Sequence, residues 1–331
     1  YPYKKIDLFY LGMGAKLDFH TEHINLESDI SYNFFDALNE RPNDFNPNQG
    51  YGALENNRGL SSNQFNYFFT SMKMNYNKSN FDFYLALDNP TWGPGVNKIV
   101  LSDKAPPFFN LGYKWQLTKN ISYEHLYGKL NSLIEDSLYS NSYASETPRY
   151  FELPRIIGAH RIDYILSDFI NFGLFEIIIY GGNRSVEPYY LLPFVPFLPI
   201  QTYIGDIDND LLGGYLNFNL KNNFNFYSTL VIDEWTPPDT FKKNHKNWFI
   251  YQIGISKKNI FINKSKFIIE YIWSDNRVYN HKVSINNFYS YNYPLGFWAG
   301  PHAEQFYIAY LLIVNKFNFN IEFSDSKRGG Y

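Results

Sequence analysis

Between Lys5 and Lys327 apolar and polar residues alternate in about fourteen stretches, each roughly 10–14 residues long, the period-2 signature of half-buried strands. In Leu211–Leu220, Leu216, Phe218 and Leu220 alternate with Tyr215, Asn217 and Asn219. In Phe224–Trp235, Phe224, Phe226, Leu230 and Ile232 share one face. Joining those two apolar faces predicts a tight loop at Lys221-Asn222-Asn223, and Asn tolerates the left-handed backbone such loops need. The connections alternate in length. Short polar turns are predicted at Asn77–Asn80, Thr118–Asn120, Ser167–Asn171, Lys221–Asn223 and Asn315–Lys316. Long segments come between them, at Phe35–Asn63, Asn89–Pro107, Ser132–Leu153, Gly182–Asp210 and Asp275–Ala303.

That layout predicts an all-β fold, a transmembrane antiparallel up-and-down β-barrel with periplasmic turns and long extracellular loops that plug the lumen. Stretches such as Asn63–Asn77 and Lys264–Asp275 are too long for most soluble sandwiches, which are the alternative all-β reading. In the hairpin Ile156–Ser167 and Asn171–Gly181, Phe175, Ile177 and Ile179 are expected to face lipid. Glu176 and Tyr180 would then face inward, with Arg161 and Asp163 on the partner strand. Arg161 beside Glu176 forms a predicted lumen charge ladder, because Arg facing mid-membrane lipid costs about 2–4 kcal/mol.

Composition changes the picture in one respect. The chain has 30 Tyr, 31 Phe and 6 Trp, so 20% of its residues are aromatic, which suits the aromatic girdles of a barrel. Mean hydropathy is only −0.37 and no run of ~18 apolar residues occurs, so no membrane helix is predicted. A net charge of −3 with no basic stripe gives no case for nucleic acid. The absence of Cys is neutral about redox compartment. The whole of 1–331 is read as a single outer-membrane barrel domain. With the short turns periplasmic, the first strand would start outside and the last would end outside, near Ser326–Tyr331. Barrels normally keep both termini in the periplasm, so the expectation is truncation at one or both ends, with about 16–18 strands in the complete protein.

Several loop motifs go beyond architecture. Trp92-Gly93-Pro94-Gly95 is followed by Leu101-Ser102-Asp103 and Ala105-Pro106-Pro107. Ala159-His160-Arg161 precedes Glu176, Tyr180-Gly181 and Glu187-Pro188-Tyr189-Tyr190. Gly205-Asp206-Ile207-Asp208-Asn209-Asp210-Leu211-Leu212-Gly213 follows, then Leu230 to Asp233-Glu234. Tyr293-Pro294-Leu295-Gly296 and Gly300-Pro301-His302-Ala303 close the series. In this order the motifs resemble the capsule-assembly Wzi family across about positions 90 to 305, and nothing before position 60 matches. The resemblance implies an outer-membrane barrel of about eighteen strands that holds capsular polysaccharide at the surface of a Gram-negative cell. The chain departs from the family in supplying about fourteen strands and in lacking a recognisable N-terminal helical segment.

The residues themselves suggest where a polysaccharide could bind. Trp92 lies between Pro90 and Pro94 in a stiff loop, and an exposed indole face suits stacking on a sugar ring. Tyr189, Tyr190, Trp235 and Trp298 lie in or beside other long loops and are candidates of the same kind. Asp206, Asp208, Asp233 and Glu234 could accept hydrogen bonds from sugar hydroxyls. The bland reading for all of them is a packed lid or an interfacial anchor. Asp206–Asp210 also invites calcium but lacks the full helix-loop-helix spacing, and a side-chain-capped turn is the favoured reading.

His20 and His23 fall on opposite faces of a strand, so no metal site, cofactor or catalytic set is predicted. Three functions remain: a non-enzymatic polysaccharide-binding barrel, a porin-like diffusion channel, or a structural subunit of a larger outer-membrane assembly with partner proteins. The apolar Leu191–Pro199 stretch is expected to pack into the barrel mouth or against a partner, which favours plugging over conduction.

Overall fold

The computed structural model describes residues 8–37, 47, 49–50, 64–139, 151–240, 242 and 247–329. Parts of two expected long loops, 35–63 and 132–153, lie outside the described residues. The order is β1 (Leu8–His20), β2 (Ile24–Ala37), β3 (Gln64–Lys78), β4 (Phe81–Asp88), β5 (Phe108–Gln116) and β6 (Ile121–Leu130). Then come β7 (Arg155–Ser167), β8 (Ile170–Gly181), α1 (Phe197–Ile204), β9 (Asn209–Leu220) and β10 (Phe224–Glu234). β11 (Trp248–Lys258), β12 (Ser265–Ser274), the short β13 (Tyr289–Ser290) and β14 (Tyr293–Pro294), β15 (Ala303–Val314) and β16 (Phe317–Arg328) complete it.

Fourteen strands form one antiparallel sheet in chain order from β1 to β16, with β13 and β14 pairing apart as a small ladder. This is the up-and-down topology of an outer-membrane β-barrel. Among the described residues no pairing joins β1 to β16. The turn chemistry acts as expected between β9 and β10, where Leu220 pairs with Phe224 and Asn222 and Asn223 take φ of 63° and 60°.

Register fixes which side of the wall each residue faces. Tyr215, Asn217 and Asn219 of β9 share a face with Tyr227 and Thr229 of β10, Gln252 of β11 and Glu270 of β12. The loops 89–107 and 275–303 fill this side, so it is the lumen. The opposite face carries Leu216, Phe218 and Leu220, then Leu230, Ile253 and Phe306, and ends on Phe317, Phe319, Ile321 and Phe323. Its uncovered apolar side chains form the lipid-facing belt.

The hairpin β7–β8 corrects the expected faces. Phe175, Ile177 and Ile179 point into the lumen, buried with Ile157, Leu211 and Leu295. Glu176 and Tyr180 point outward. Arg161 pairs in register with Phe175 on one side and with Glu124 on the other. Its Nε and Nη2 donate to Glu124 Oε2 at 2.9 and 2.6 Å, with Asp163 at 3.6 Å. The lumen ladder is therefore Glu124–Arg161–Asp163, and Glu176 lies outside it, hydrogen-bonded to His160 at 3.0 Å. Leu191–Pro199 also departs from expectation. It packs on the outer wall, where Phe197 and Ile200 cover Tyr127, Ile156, Ile178 and Tyr180.

One carboxylate pins the plug to the wall. Glu270 accepts the Val96 and Asn97 backbone N–H groups at 3.0 Å each, the Asn97 side-chain amide at 2.8 Å and the Tyr227 hydroxyl at 2.8 Å. Gln252 Nε2 donates to the Asn97 carbonyl at 2.6 Å. The approach requires glycine at 95, where φ is +83° and an added Cβ would fall 2.4 Å from the Glu270 carboxylate.

Two outcomes follow from this architecture. Ile253→Arg on the lipid face is expected to lower folding stability in bilayers by about 2–4 kcal/mol, read by denaturant unfolding in liposomes, whereas Asn217→Arg in the lumen changes it little. Glu270→Ala strands two plug amides and costs about 1–3 kcal/mol locally. Amide exchange at Val96 and Asn97 is then expected to accelerate by about tenfold or more, and unchanged exchange would contradict the pinning role.

Candidate functional site

The long-loop end of the barrel holds three layers. The lowest is the lumen ladder. Arg161 donates to Glu124, lies 3.4 Å from the Tyr215 hydroxyl, and places its guanidinium 5.0 Å from the centre of the Trp92 ring. The Tyr215 hydroxyl donates to Asp163. Trp92 thus roofs a fixed array of charges and is only 1% exposed. Sequence reading placed Trp92 outside for sugar stacking; the folded plug offers no free face of that ring.

The middle layer is the plug. Trp92 N–H donates to the Leu101 carbonyl at 3.0 Å, closing the first loop on itself. Ser102 ties that loop to the second: its N–H donates to Leu295 O at 2.7 Å and its hydroxyl to Gly296 O at 2.6 Å. Tyr279 N–H donates to the Asp233 carboxylate, and the Tyr279 hydroxyl donates to Ile99 O at 3.3 Å while accepting Phe297 N–H at 2.8 Å. Burial raises the Tyr279 phenol well above its ordinary range, so it remains a neutral donor. Lys98 donates to Gly93 O at 2.7 Å, and burial lowers its ammonium from the ordinary lysine value.

The motif residues divide between these roles. Gly93, Pro94 and Gly95 form the turn against Glu270, and Pro294, Leu295 and Gly296 form the seam with Ser102. Pro301 is buried, Gly300 has φ of +74°, and Asp103 is exposed. Trp298 is buried too, and its indole N–H donates to Gln305 at 2.9 Å. Below the plug, on the short-turn side, Pro94, Gly95, Asn217, Tyr227 and Lys266 border a cavity of about 230 Å³.

The upper layer is the rim. Trp235 is 51% exposed, its indole N–H held by the Thr240 hydroxyl at 3.0 Å. Beside it in sequence, Glu234 feels the charges of Asp206 and Lys282. Lys282 lies 3.4 Å from the Asp206 carbonyl, and the Asp206 carboxylate accepts Gln201 Nε2 at 3.2 Å. His281 is lowered by burial and stays neutral at neutral pH. Asp208, by contrast, is buried between Arg184 and the Tyr190 hydroxyl, and Tyr190 is itself covered. Tyr189 is exposed, but on the outer wall near Tyr203. Of the candidate sugar-binding residues, Trp235 is exposed and Asp206 lies beside Lys282 and Gln201, whereas Trp92, Tyr190, Asp208 and Trp298 are buried and Tyr189 is on the outer wall.

Sequence reasoning missed Glu270, Gln252, Glu124 and Lys282. A lone charge in the alternating stretch around Glu270 was a usable signal, because a charge inside a membrane strand belongs in the lumen with a partner. Nothing local marked Lys282. Among the described residues no cluster of three or more potential metal ligands occurs.

No protein-family model matches the chain, and no curated protein sequence matches it significantly. Among solved structures it is similar to Wzi, an outer-membrane protein involved in group 1 capsule assembly in Escherichia coli and described as a carbohydrate-binding β-barrel. The TM-score is 0.62 at 14% identity, over 96% of this chain and 65% of that one, so the chain spans about two-thirds of Wzi's length. OpdK of Pseudomonas aeruginosa, solved with vanillate, gives a TM-score of 0.42 at 10% identity, over 97% and 88% of the two chains. A BenF-like porin of Pseudomonas fluorescens gives 0.39 at 12%, over 95% and 85%. The likeness to Wzi extends to the fold: an outer-membrane β-barrel wall.

Proposed function

We propose that this barrel resides in the outer membrane of a Gram-negative bacterium and holds capsular or extracellular polysaccharide at the cell surface, without catalysis. The observation that carries the reading is the filled lumen. Two loops are knitted to each other through Ser102 and to the wall through Glu270 and Gln252, where a diffusion channel needs an open path. The rim above that plug supplies the chemistry a saccharide needs. Trp235 offers an exposed indole face, and Asp206, Glu234 and Lys282 offer acceptors and a donor for hydroxyl groups. The barrel-wall likeness to a protein described as carbohydrate-binding supports the same reading.

The test uses detergent-solubilised protein and the surface polysaccharide of its own host. Saturable binding is expected, weakened about tenfold or more by Trp235→Ala, the equivalent of ~1.4 kcal/mol. Trp92→Ala is expected to lower thermal stability with a smaller effect on affinity, since that ring is enclosed. Planar bilayers containing the protein are expected to show no steady conductance. Steady conductance together with no polysaccharide binding would replace this reading with a channel.

A further inference from the structure

The outer wall of β6–β8 breaks the rule that the lipid face is apolar. His125, His160 and Glu176 all point outward there, at the height of the belt, with Ile162 and Leu174 next along the same strands. A charge and two imidazoles facing acyl chains would be costly, and the fold covers them. Residues 188–204 leave the long-loop end, descend the wall and return. Phe194 lies 6.0 Å from Trp115 and 4.3 Å from Tyr123 between ring centres, both within a few residues of the short turn 117–120. The segment thus runs down most of the wall's height.

The segment is built for a place without water. Backbone outside a sheet survives at membrane depth only where its polar groups are satisfied by protein. Pro193, Pro196 and Pro199 carry no N–H to satisfy. The first two N–H groups of α1, at Phe197 and Leu198, donate to the two Glu176 carboxylate oxygens at 2.6 and 2.8 Å. Phe194 N–H donates to the Tyr123 hydroxyl at 3.1 Å. Gln201 donates to the Asp208 carbonyl at 2.6 Å, and Thr202 back to Leu198 O at 3.2 Å. Every residue from Pro188 to Gly205 is uncharged. The outward side chains are Tyr189, Leu191, Leu192, Phe194, Leu198 and Tyr203, between 41% and 79% exposed. This surface continues the lipid belt at Ile162 and Leu174, and the exposed Thr202 turns its hydroxyl back onto Leu198 O.

We propose that residues 188–204 form a strap immersed in the hydrocarbon layer of the outer membrane, clamped to the barrel wall by Glu176 and contacting acyl chains directly. The proposal rests on the barrel fold and is independent of polysaccharide binding. Glu176 is the clamp: one carboxylate satisfies the start of α1 and is itself held by His160, while Asp210 lies under the same cover.

The chain contains no Cys, so single substitutions Leu198→Cys and Leu191→Cys give it one nitroxide label each. In proteoliposomes both labels are expected to be relaxed more by oxygen than by a water-soluble nickel chelate, as is a control label at Leu174 on the belt. A label at Asp206 on the rim should show the reverse. Greater nickel than oxygen accessibility at 191 and 198 would overturn the proposal by placing the strap in water. Low accessibility to both reagents would overturn it in favour of a protein partner covering the strap. Glu176→Ala in the Leu198→Cys background is expected to narrow the nitroxide spectrum while the Leu174 control stays unchanged. An unchanged spectrum at 198 would remove Glu176 from the clamp.

Discussion

Hydrocarbon offers no hydrogen bonds, so every backbone polar group at membrane depth has to be paired within the protein. The fourteen-strand ladder follows from that constraint, because each interior strand satisfies its neighbours on both sides. The same constraint sorts the side chains. Where the outer face meets lipid directly it is apolar, as in Leu216–Phe218–Leu220, and the polar partners Asn217 and Asn219 turn inward. It also governs the two places where loops replace strands. The plug inside and the strap outside each have their irregular backbone tied down by one carboxylate from the wall: Glu270 for Val96 and Asn97, Glu176 for Phe197 and Leu198.

The plug covers much of the inner face of the wall. Phe175, Ile177 and Ile179 form an apolar patch inside the lumen, and the Leu295–Trp298 segment is buried against it in the same core. Exposing that patch to solvent would forfeit roughly 25 cal/mol per Å² of apolar surface. Three of the charges inside, Glu124, Arg161 and Asp163, form one paired cluster roofed by Trp92. At the long-loop end Trp235 stays exposed, and Lys282 lies beside the Asp206 carbonyl.

How much of this was legible in the sequence depended on whether one face of a strand was left uncovered. β9 and β10 were legible because polar Asn and Tyr alternate with apolar residues that meet lipid. β7 and β8 were not, because toward the long-loop end both of their faces are covered, inside by the plug and outside by the strap. A strand covered on both faces loses its alternation and reads as a continuous apolar run, as Ile177-Ile178-Ile179 does. Assigning faces there by apolarity put Glu176 inside and three buried plug contacts outside. Carrying the register across from β9 would have corrected it, since Tyr215 pairs with Gly173 and fixes the inward set of β8. The Trp92 loop misled for a different reason. Its prolines and glycines announced a stiff turn, but turn chemistry says nothing about whether the turn faces water or a wall.

The 89–107 loop is seated against the inner wall through Glu270 and Gln252. In the Cys-free chain, Asn97→Cys with Gln252→Cys places two thiols at positions joined by the Gln252 side-chain bond to the Asn97 backbone carbonyl. Treating outer membranes with a short bifunctional thiol reagent should join them efficiently within one chain, shifting its electrophoretic mobility, while Asn97→Cys paired with the rim substitution Asp206→Cys stays unjoined. Failure of the 97–252 pair to join in folded protein would show that the loop does not occupy the lumen, contradicting its seating against Glu270 and Gln252.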